Sequence, residues 1–289
     1  MKHLNYIYII VLCISFLAVS CENKPGMRNE KLLFLGHRGS GANVYSGKAA
    51  GLANENTLNA VMEGCQYLDG AEIDIQMSAD STIWLWHDDL FAYNEDSVPL
   101  SIPVMTDAEI NQIISRQSHE KITSLHDVLI YLNKLPEKKF ISLDVKGYFP
   151  YCPDLNGKKY LTTLATQLAN LIRTSHLTHQ IMVETDYQVF LDEMKKQLPE
   201  VNCYLLGYSN LISKINKAKE KGYDGISFNA NDSSLNIRNI NMLKSEGLKI
   251  QLWTVNDTAT IRNIMKFHPA TIQTDNLSAK QLFAKEDSI

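Results

Sequence analysis

From residue 32 onward the chain alternates between two hydrophobic rhythms. Short apolar or strictly alternating runs read as β-strands: LLFLG from 32, AEIDIQMS from 71, FISLDVK from 140, IMVETD from 181, NCYLLG from 202, GISFN from 225, KIQLWTV from 249 and TIQTD from 271. STIWLWHD, from 81, also alternates. Between these runs apolar residues recur at helical spacing, as in TLNAVMEGCQYL (57–68), TSLHDVLIYLNKL (123–135), a long segment near 160–175, FLDEMKKQL (190–198) and ISKINKAKEKG (212–222). The segment 106–116 opens with a capping box, Thr106 followed by Glu109 three residues on. KEKGYDG and KSEGLK each end a helix with glycine just before a strand, where only a residue tolerant of positive φ closes the last turn easily.

Eight strands separated by helices follow, at 32–37, 71–76, 140–146, 181–186, 202–207, 225–229, 249–255 and 271–275. Eight such units in one α/β domain favour a closed (β/α)8 TIM barrel over an open doubly wound sheet. The barrel is expected to occupy 32–289 as a single domain, since no linker, low-complexity tract or short repeat cuts it. Residues 1–20 read as an export signal: Lys2, an apolar stretch over 6–19, then small residues. That stretch is short for a membrane span. LAVSC resembles a bacterial lipobox, with Cys21 as the lipidated residue, although leucine stands at 17 where the motif usually has it at 18. Simple secretion is the alternative. The polar residues 21–31 would then tether the barrel to an exported membrane surface of the cell envelope.

Composition narrows the function classes. The 289 residues are 45% hydrophobic and 21% charged, as in an ordinary globular protein, and the net charge is −4. Nothing provides the basic stripe of a nucleic-acid partner, and contact with a membrane is expected only through Cys21. Beyond Cys21 the remaining cysteines, Cys65, Cys152 and Cys203, are widely spaced, which excludes a disulfide framework and a zinc motif.

The stretch FLGHRGSG, from 34, invites a nucleotide-loop reading, which the spacing rejects. Five residues, not four, separate Gly41 from Gly47-Lys48, and Ala49 stands where a magnesium-binding hydroxyl is required. A different chemistry comes from the strands. Glu72 and Asp74 are two apart, so both carboxylates share one face. Asp144 and Lys146 repeat that geometry with opposite charges. Two inward acids are costly unless something cationic meets them. One answer is a hard divalent cation with oxygen ligands Glu72, Asp74 and Asp144, leaving Lys146 for an anion. The other is an internal salt-bridge network of Glu72, Asp74, Asp144, Lys146 and Arg38. His37 and Arg38 follow the first strand, and His87 follows the apolar run of 83–86. The C-terminal strand ends of a barrel are where sites are built, and imidazoles titrate near neutrality.

HRG, ENTLNA, GAEIDIQMSADSTIWLWHDD, SLDVKG, LWTVND and IQTDN, in that order, resemble the glycerophosphodiester phosphodiesterase family from about 32 to 277. The resemblance implies a TIM barrel and metal-dependent hydrolysis of a small-molecule glycerophosphodiester to glycerol 3-phosphate and an alcohol. It implies Glu72, Asp74 and Asp144 as ligands of Ca2+ or Mg2+, Arg38 and Lys146 on the phosphate, and His37 and His87 as acid and base. Glu55 is expected to orient the site around His37 by hydrogen bonding, and Trp253 to line the pocket. Three departures stand out. Asp144 replaces the family's usual Glu, Asn54 precedes Glu55 where proline is frequent, and fifteen residues separate Gly39 from Glu55. A phospholipase D-like relative would carry apolar loops at the mouth, which that segment lacks. A non-catalytic phosphoester-binding lipoprotein would have lost a histidine or an acid of the set, and all are present. His176 and His179 of HLTH read as a solvated helix end, His119, His126 and His268 as surface or capping residues, and Trp84 as core.

Overall fold

A computed structural model describes residues 31–93, 96, 98–112 and 122–286. The expected export signal, Cys21, nearly all of the expected tether, His119 and the end of the helix expected over 106–116 lie outside the described residues.

Eight parallel strands close into a barrel: β1 (Leu33–Gly36), β2 (Gly70–Met77), β3 (Phe140–Val145), β4 (Ile181–Thr185), β5 (Asn202–Gly207), β6 (Gly225–Asn229), β7 (Lys249–Trp253) and β8 (Thr271–Thr274). Each strand pairs with the next, and β1 closes the ring against both β2 and β8. Helices α1 (Leu58–Tyr67), α2 (Asp107–Gln112), α3 (Leu125–Asn133), α4 (Gly157–Ser175), α5 (Gln188–Gln197), α6 (Leu211–Lys221), α7 (Ile237–Ser245), α8 (Thr258–Met265) and α9 (Ala279–Glu286) lie in the connections and after the last strand. Their starts follow from side chains that accept an otherwise orphaned amide. Thr57 caps α1, Ser124 caps α3, Asn156 caps α4 and Asp257 caps α8. Among the described residues no helix is long and apolar enough to cross a membrane.

Strand alternation divides the interior in two. Ile73, Ile75, Leu143 and Val145 point outward into the core shared with the helices, alongside Val61, Leu164 and Leu168. The opposite face of the same strands lines the barrel. Leu35, Met182 and Tyr204, with Leu33 and Phe140, plug its base. A polar layer lies above them: Glu184 accepts hydrogen bonds from Ser142 Oγ (2.8 Å), Gln251 Nε2 (2.8 Å) and Gln273 Nε2 (2.5 Å). Nearer the C-terminal strand ends stand Asp74 and Asp144, paired in register on β2 and β3.

The alternating run 81–88 forms no barrel strand. Its core, Ile83–Leu85, runs antiparallel to the far half of β2, pairing Leu85 with Ile75 and Ile83 with Met77. β1 meets β2 through only two residue pairs, so β2 has a free edge there for this short strand to occupy. Its packing buries Trp84 and Trp86, and the chain then delivers His87 to the barrel mouth.

Candidate active site

The first wall of the site is the turn after β1. Arg38 has φ +52° and Gly39 φ +97°. Gly39 N donates to Gly36 O (3.1 Å) and to Glu72 O (2.8 Å), locking the turn onto β2. A Cβ on Gly39 would stand 2.6 Å from the Ala60 side chain and 2.8 Å from its backbone, so glycine is required by both conformation and space. This turn aims the Arg38 main-chain amide at Glu72 Oε2 (2.9 Å). The Arg38 guanidinium reaches Glu55 Oε1 (2.7 Å), and its Nε lies 3.7 Å from Asp74 Oδ2 without a hydrogen-bond partner.

Glu55 thus positions Arg38. The orienting role expected of Glu55 around His37 takes the form of a bond to the neighbouring Arg38, while His37 itself pairs with Asp275. The second Glu55 oxygen accepts the Asn43 amide (2.6 Å), and Asn43 Oδ1 accepts the Glu55 amide (3.0 Å). This reciprocal pair staples the base of the 39–55 loop, and Lys48 Nζ donates to Gly41 O (2.7 Å) within it. Next to Glu55, Asn56 takes a left-handed conformation, φ +56°. Its Nδ2 donates to Asp74 Oδ2 (2.7 Å) and its Oδ1 accepts the Asp74 amide (3.0 Å).

Three carboxylates converge at the centre. Glu72, Asp74 and Asp144 each present an oxygen within 4.8 Å of the others, and Glu72 and Asp74 are only 2% exposed. Lys146 Nζ bridges Asp144 Oδ2 (2.6 Å) and Asp74 Oδ1 (2.8 Å). Of the salt-bridge network foreseen from the sequence, Arg38, Asp74, Asp144 and Lys146 form ion pairs, while Glu72 is met by the Arg38 main-chain amide, and the charges do not balance. The carboxyl groups Glu55, Glu72, Asp74, Asp144 and Glu184 outnumber the cations Arg38 and Lys146. The imbalance falls unevenly. Burial pushes Glu72 well above the usual carboxylate range, and the charges of Asp74, Glu184 and Asp144 add to it. Asp74 is also buried, but Lys146, His87 and Arg38 outweigh that cost and hold it below the usual range. Burial, then Asp144, lifts Glu184 to about 7 despite its hydrogen bonds. A converging set of hard oxygen donors in which acids outnumber cations fits a divalent cation. Glu72, Asp74 and Asp144 are the residues that would hold it.

The two histidines have matching partners. His37 Nδ1 donates to Asp275 Oδ1 at 2.7 Å, and His87 Nδ1 donates to Asp88 Oδ1 at 2.7 Å. In both, the carboxylate fixes the tautomer and leaves Nε2 for chemistry. Asp275 is itself held by the Ala42 amide (2.8 Å) and Asn256 Nδ2 (2.8 Å). Burial raises the Asp275 carboxyl, but His37, the Ala42 amide and Asn256 more than offset this, and it lies below the usual range. A cleft of about 290 Å³ opens beside His87, Asp144 and Lys146. Trp253 packs edge-on against Tyr208 of that cleft, ring centroids 5.2 Å apart.

Asp275, Asn56, Asn256 and Glu184 were not singled out by residue type. IQTDN, ENT and LWTVND contain the first three, so the motifs held the signal without its meaning. Elsewhere the sequence reading agrees with the structure. His176 is the left-handed cap of α4, His126 and His268 are exposed, and Trp84 is buried with its Nε1 donating to Asp107 (3.2 Å). Cys65, Cys152 and Cys203 are free and buried.

The model of the glycerophosphoryl diester phosphodiesterase family matches residues 37–279. No curated protein matches the chain. Among solved structures, a glycerophosphodiester phosphodiesterase from Parabacteroides distasonis superposes with a TM-score of 0.73 at 17% identity, covering 90% of this chain and 99% of that one. A putative glycerophosphoryl diester phosphodiesterase from Silicibacter pomeroyi gives 0.72 at 16%, covering 91% and 96%. An Oleispira antarctica phosphodiesterase, in complex with the product sn-glycerol-3-phosphate, gives 0.69 at 17%, covering 87% and 96%. At such identities the structures speak for the shared fold, and the family model for the lineage. With a match over most of its length, the chain belongs to the glycerophosphoryl diester phosphodiesterase family and is a phosphodiester hydrolase.

Proposed function

We propose that the protein hydrolyses glycerophosphodiesters to glycerol 3-phosphate and an alcohol, with His37 and His87 sharing the base and acid roles. The observation that carries this is the grouping at one barrel mouth of two carboxylate-held imidazoles, three converging acids and two cations. A divalent cation, Ca2+ or Mg2+, would supply Lewis-acid stabilisation of charge developing on the phosphate.

The chain's own residues account for the rest. Arg38 and Lys146 bind non-bridging phosphate oxygens. His37 Nε2 takes the proton of the glycerol hydroxyl neighbouring the phosphate, and the Asp275 carboxylate stabilises the resulting imidazolium. We assign this first abstraction to His37 because its carboxylate is the more buried, 8% exposed against 40% for Asp88. His87 donates a proton to the departing alkoxide. The hydroxyl oxygen forms a new bond to phosphorus as the P–O bond to the alcohol breaks, leaving a cyclic phosphate. Water then opens the ring with the proton roles reversed, since the opening retraces the same geometry. The replacement of Glu by Asp at 144 shortens one carboxylate arm, and Lys146 still reaches it.

The decisive measurement is release of glycerol 3-phosphate from a panel of glycerophosphodiesters, with Ca2+ or Mg2+ and with EDTA. We expect metal-dependent release, and no release from any substrate with either ion would overturn the reading. The Cys21 anchor is a separate proposal, supported by the LAVSC motif. Incorporation of labelled fatty acid that is lost in Cys21→Ala is expected, and equal labelling of both would sink it.

A further inference from the structure

The cleft beside Lys146 has an outer part that the phosphate chemistry does not use. Its inner end is formed by His87, Asp144 and Lys146, and its outer part by Tyr148, Asp186, Tyr187 and Tyr208 from the loops after β3, β4 and β5. Tyr148 and Tyr208 are 69% and 59% exposed, so their rings are open to a ligand in the cleft. Tyr208 is nevertheless held, edge-on to Trp253. Tyr187 is held against the backbone of Gly147, where a Cβ would stand 2.7 Å from its ring.

The outer wall of the cleft is anionic. Asp186 and Asp89 line it, and neither forms an ion pair with a described residue. Lys214 senses the charge of Asp186 without pairing with it. The Asp89 carboxylate only accepts the amide of Leu90 (3.1 Å). Lys146, the cation of the cleft, stands at its inner end against Asp74 and Asp144.

We propose that this wall is the subsite for the leaving alcohol and that it selects a positively charged amino alcohol, the ammonium lying among Tyr148, Tyr187 and Tyr208 and facing Asp186. The proposal rests on the hydrolytic activity proposed above. Aromatic faces attract ammonium groups through their quadrupoles, and neighbouring carboxylates add a Coulombic term. Burial, then the charge of Asp186, drives the Tyr187 phenol up to about 12, so its ring stays neutral at working pH. A neutral polyol gains nothing from this field, and an anionic head group is repelled by it. The neutral glycerol half is therefore assigned to the other side of the phosphate, towards His37.

The test compares kcat/KM for glycerol 3-phosphate release from four substrates at saturating metal: the choline and ethanolamine diesters, and the glycerol and inositol diesters. The cationic pair is expected to be favoured by about tenfold, equivalent to about 1.4 kcal/mol. In Asp186→Asn and Tyr208→Leu that ratio falls by about fivefold, with thermal unfolding recorded to show that both variants fold. Equal rates on all four substrates, preference for the neutral pair, or an unchanged ratio in both variants overturns the subsite alone. No release from any of the four overturns the activity, and the subsite with it.

Discussion

His37 Nδ1 lies 2.7 Å from Asp275 Oδ1, although 238 positions separate the two residues. Closure of the barrel brings them together: Gly36 at the end of β1 is in register with Thr274 at the end of β8, and the next residue of each chain segment enters the site. A histidine that sequence motifs associate with chemistry thus receives its orienting carboxylate from the far end of the domain.

Replacing Asp275 by Asn keeps the shape and removes the charge. The amide no longer stabilises an imidazolium at His37, and the tautomer with a free Nε2 lone pair loses its advantage. We expect kcat to fall by about 100-fold with little change in KM. Steady-state kinetics checks the first, and the 15N shifts of the His37 ring the second. Wild-type kcat in the variant would remove Asp275 from the mechanism.

Glu72, Asp74 and Asp144 repel one another when no cation is bound, so a metal should stabilise the folded chain. At a concentration 100 times its dissociation constant, Ca2+ or Mg2+ is expected to add about 2.7 kcal/mol. Thermal melts with metal and with EDTA measure this. Glu72→Gln should abolish most of the metal-dependent rise. An equal rise in that variant would place the ion elsewhere.

Asp69 ties the base of the barrel together and offers a test by pH away from the site. It accepts the Phe34 amide (3.1 Å), Lys31 Nζ (3.1 Å) and Lys280 Nζ (2.9 Å), the last from α9. Burial raises its carboxyl, but the bonds from Lys280, Phe34 and Lys31 outweigh that, and it lies below the usual range. A carboxylate depressed in the folded state contributes stability that is full above its unfolded value, about 3.9, and fades as pH falls through the folded one. Asp69→Asn is expected to cost about 1.5–3 kcal/mol at pH 7, and the gap to wild type should narrow below about pH 4. Denaturant melts at pH 7 and pH 3 test it. A gap that widens in acid would contradict the assignment.

Gly39→Ala should damage both fold and function. Its φ of +97° disfavours any side chain, and the new Cβ would collide with the Ala60 backbone at the start of α1. The expected cost is about 2 kcal/mol or more. Activity should fall further than stability alone explains, because the same turn aims His37 and Arg38. A fully folded variant with unchanged kcat/KM would show that the turn tolerates displacement.

Much of this was legible along the chain. The alternation in AEIDIQ assigned Glu72 and Asp74 to one face and Ile73 and Ile75 to the other, and the structure keeps that division. SLDVK did the same for Asp144 and Lys146. The run 81–88 shows the limit of such reasoning. Its period is that of a strand, but nothing local distinguishes a barrel strand from a short antiparallel one on the edge of β2.

The sequence by itself determined what is local: where strands and helices start, which face each side chain takes, and which residue types stand at the strand ends. Those properties follow from backbone periodicity and capping, which operate over a few residues. Only the tertiary structure decided the partners. Glu55 meets Arg38 because the left-handed turn at Arg38 swings the guanidinium towards it and leaves His37 to Asp275. Glu184 is the register partner of Asp144 on the neighbouring strand, and so adds a fourth acid beside the three because the barrel register aligns them. Register and closure are collective properties of eight strands packed at once, and no stretch of the chain encodes them alone.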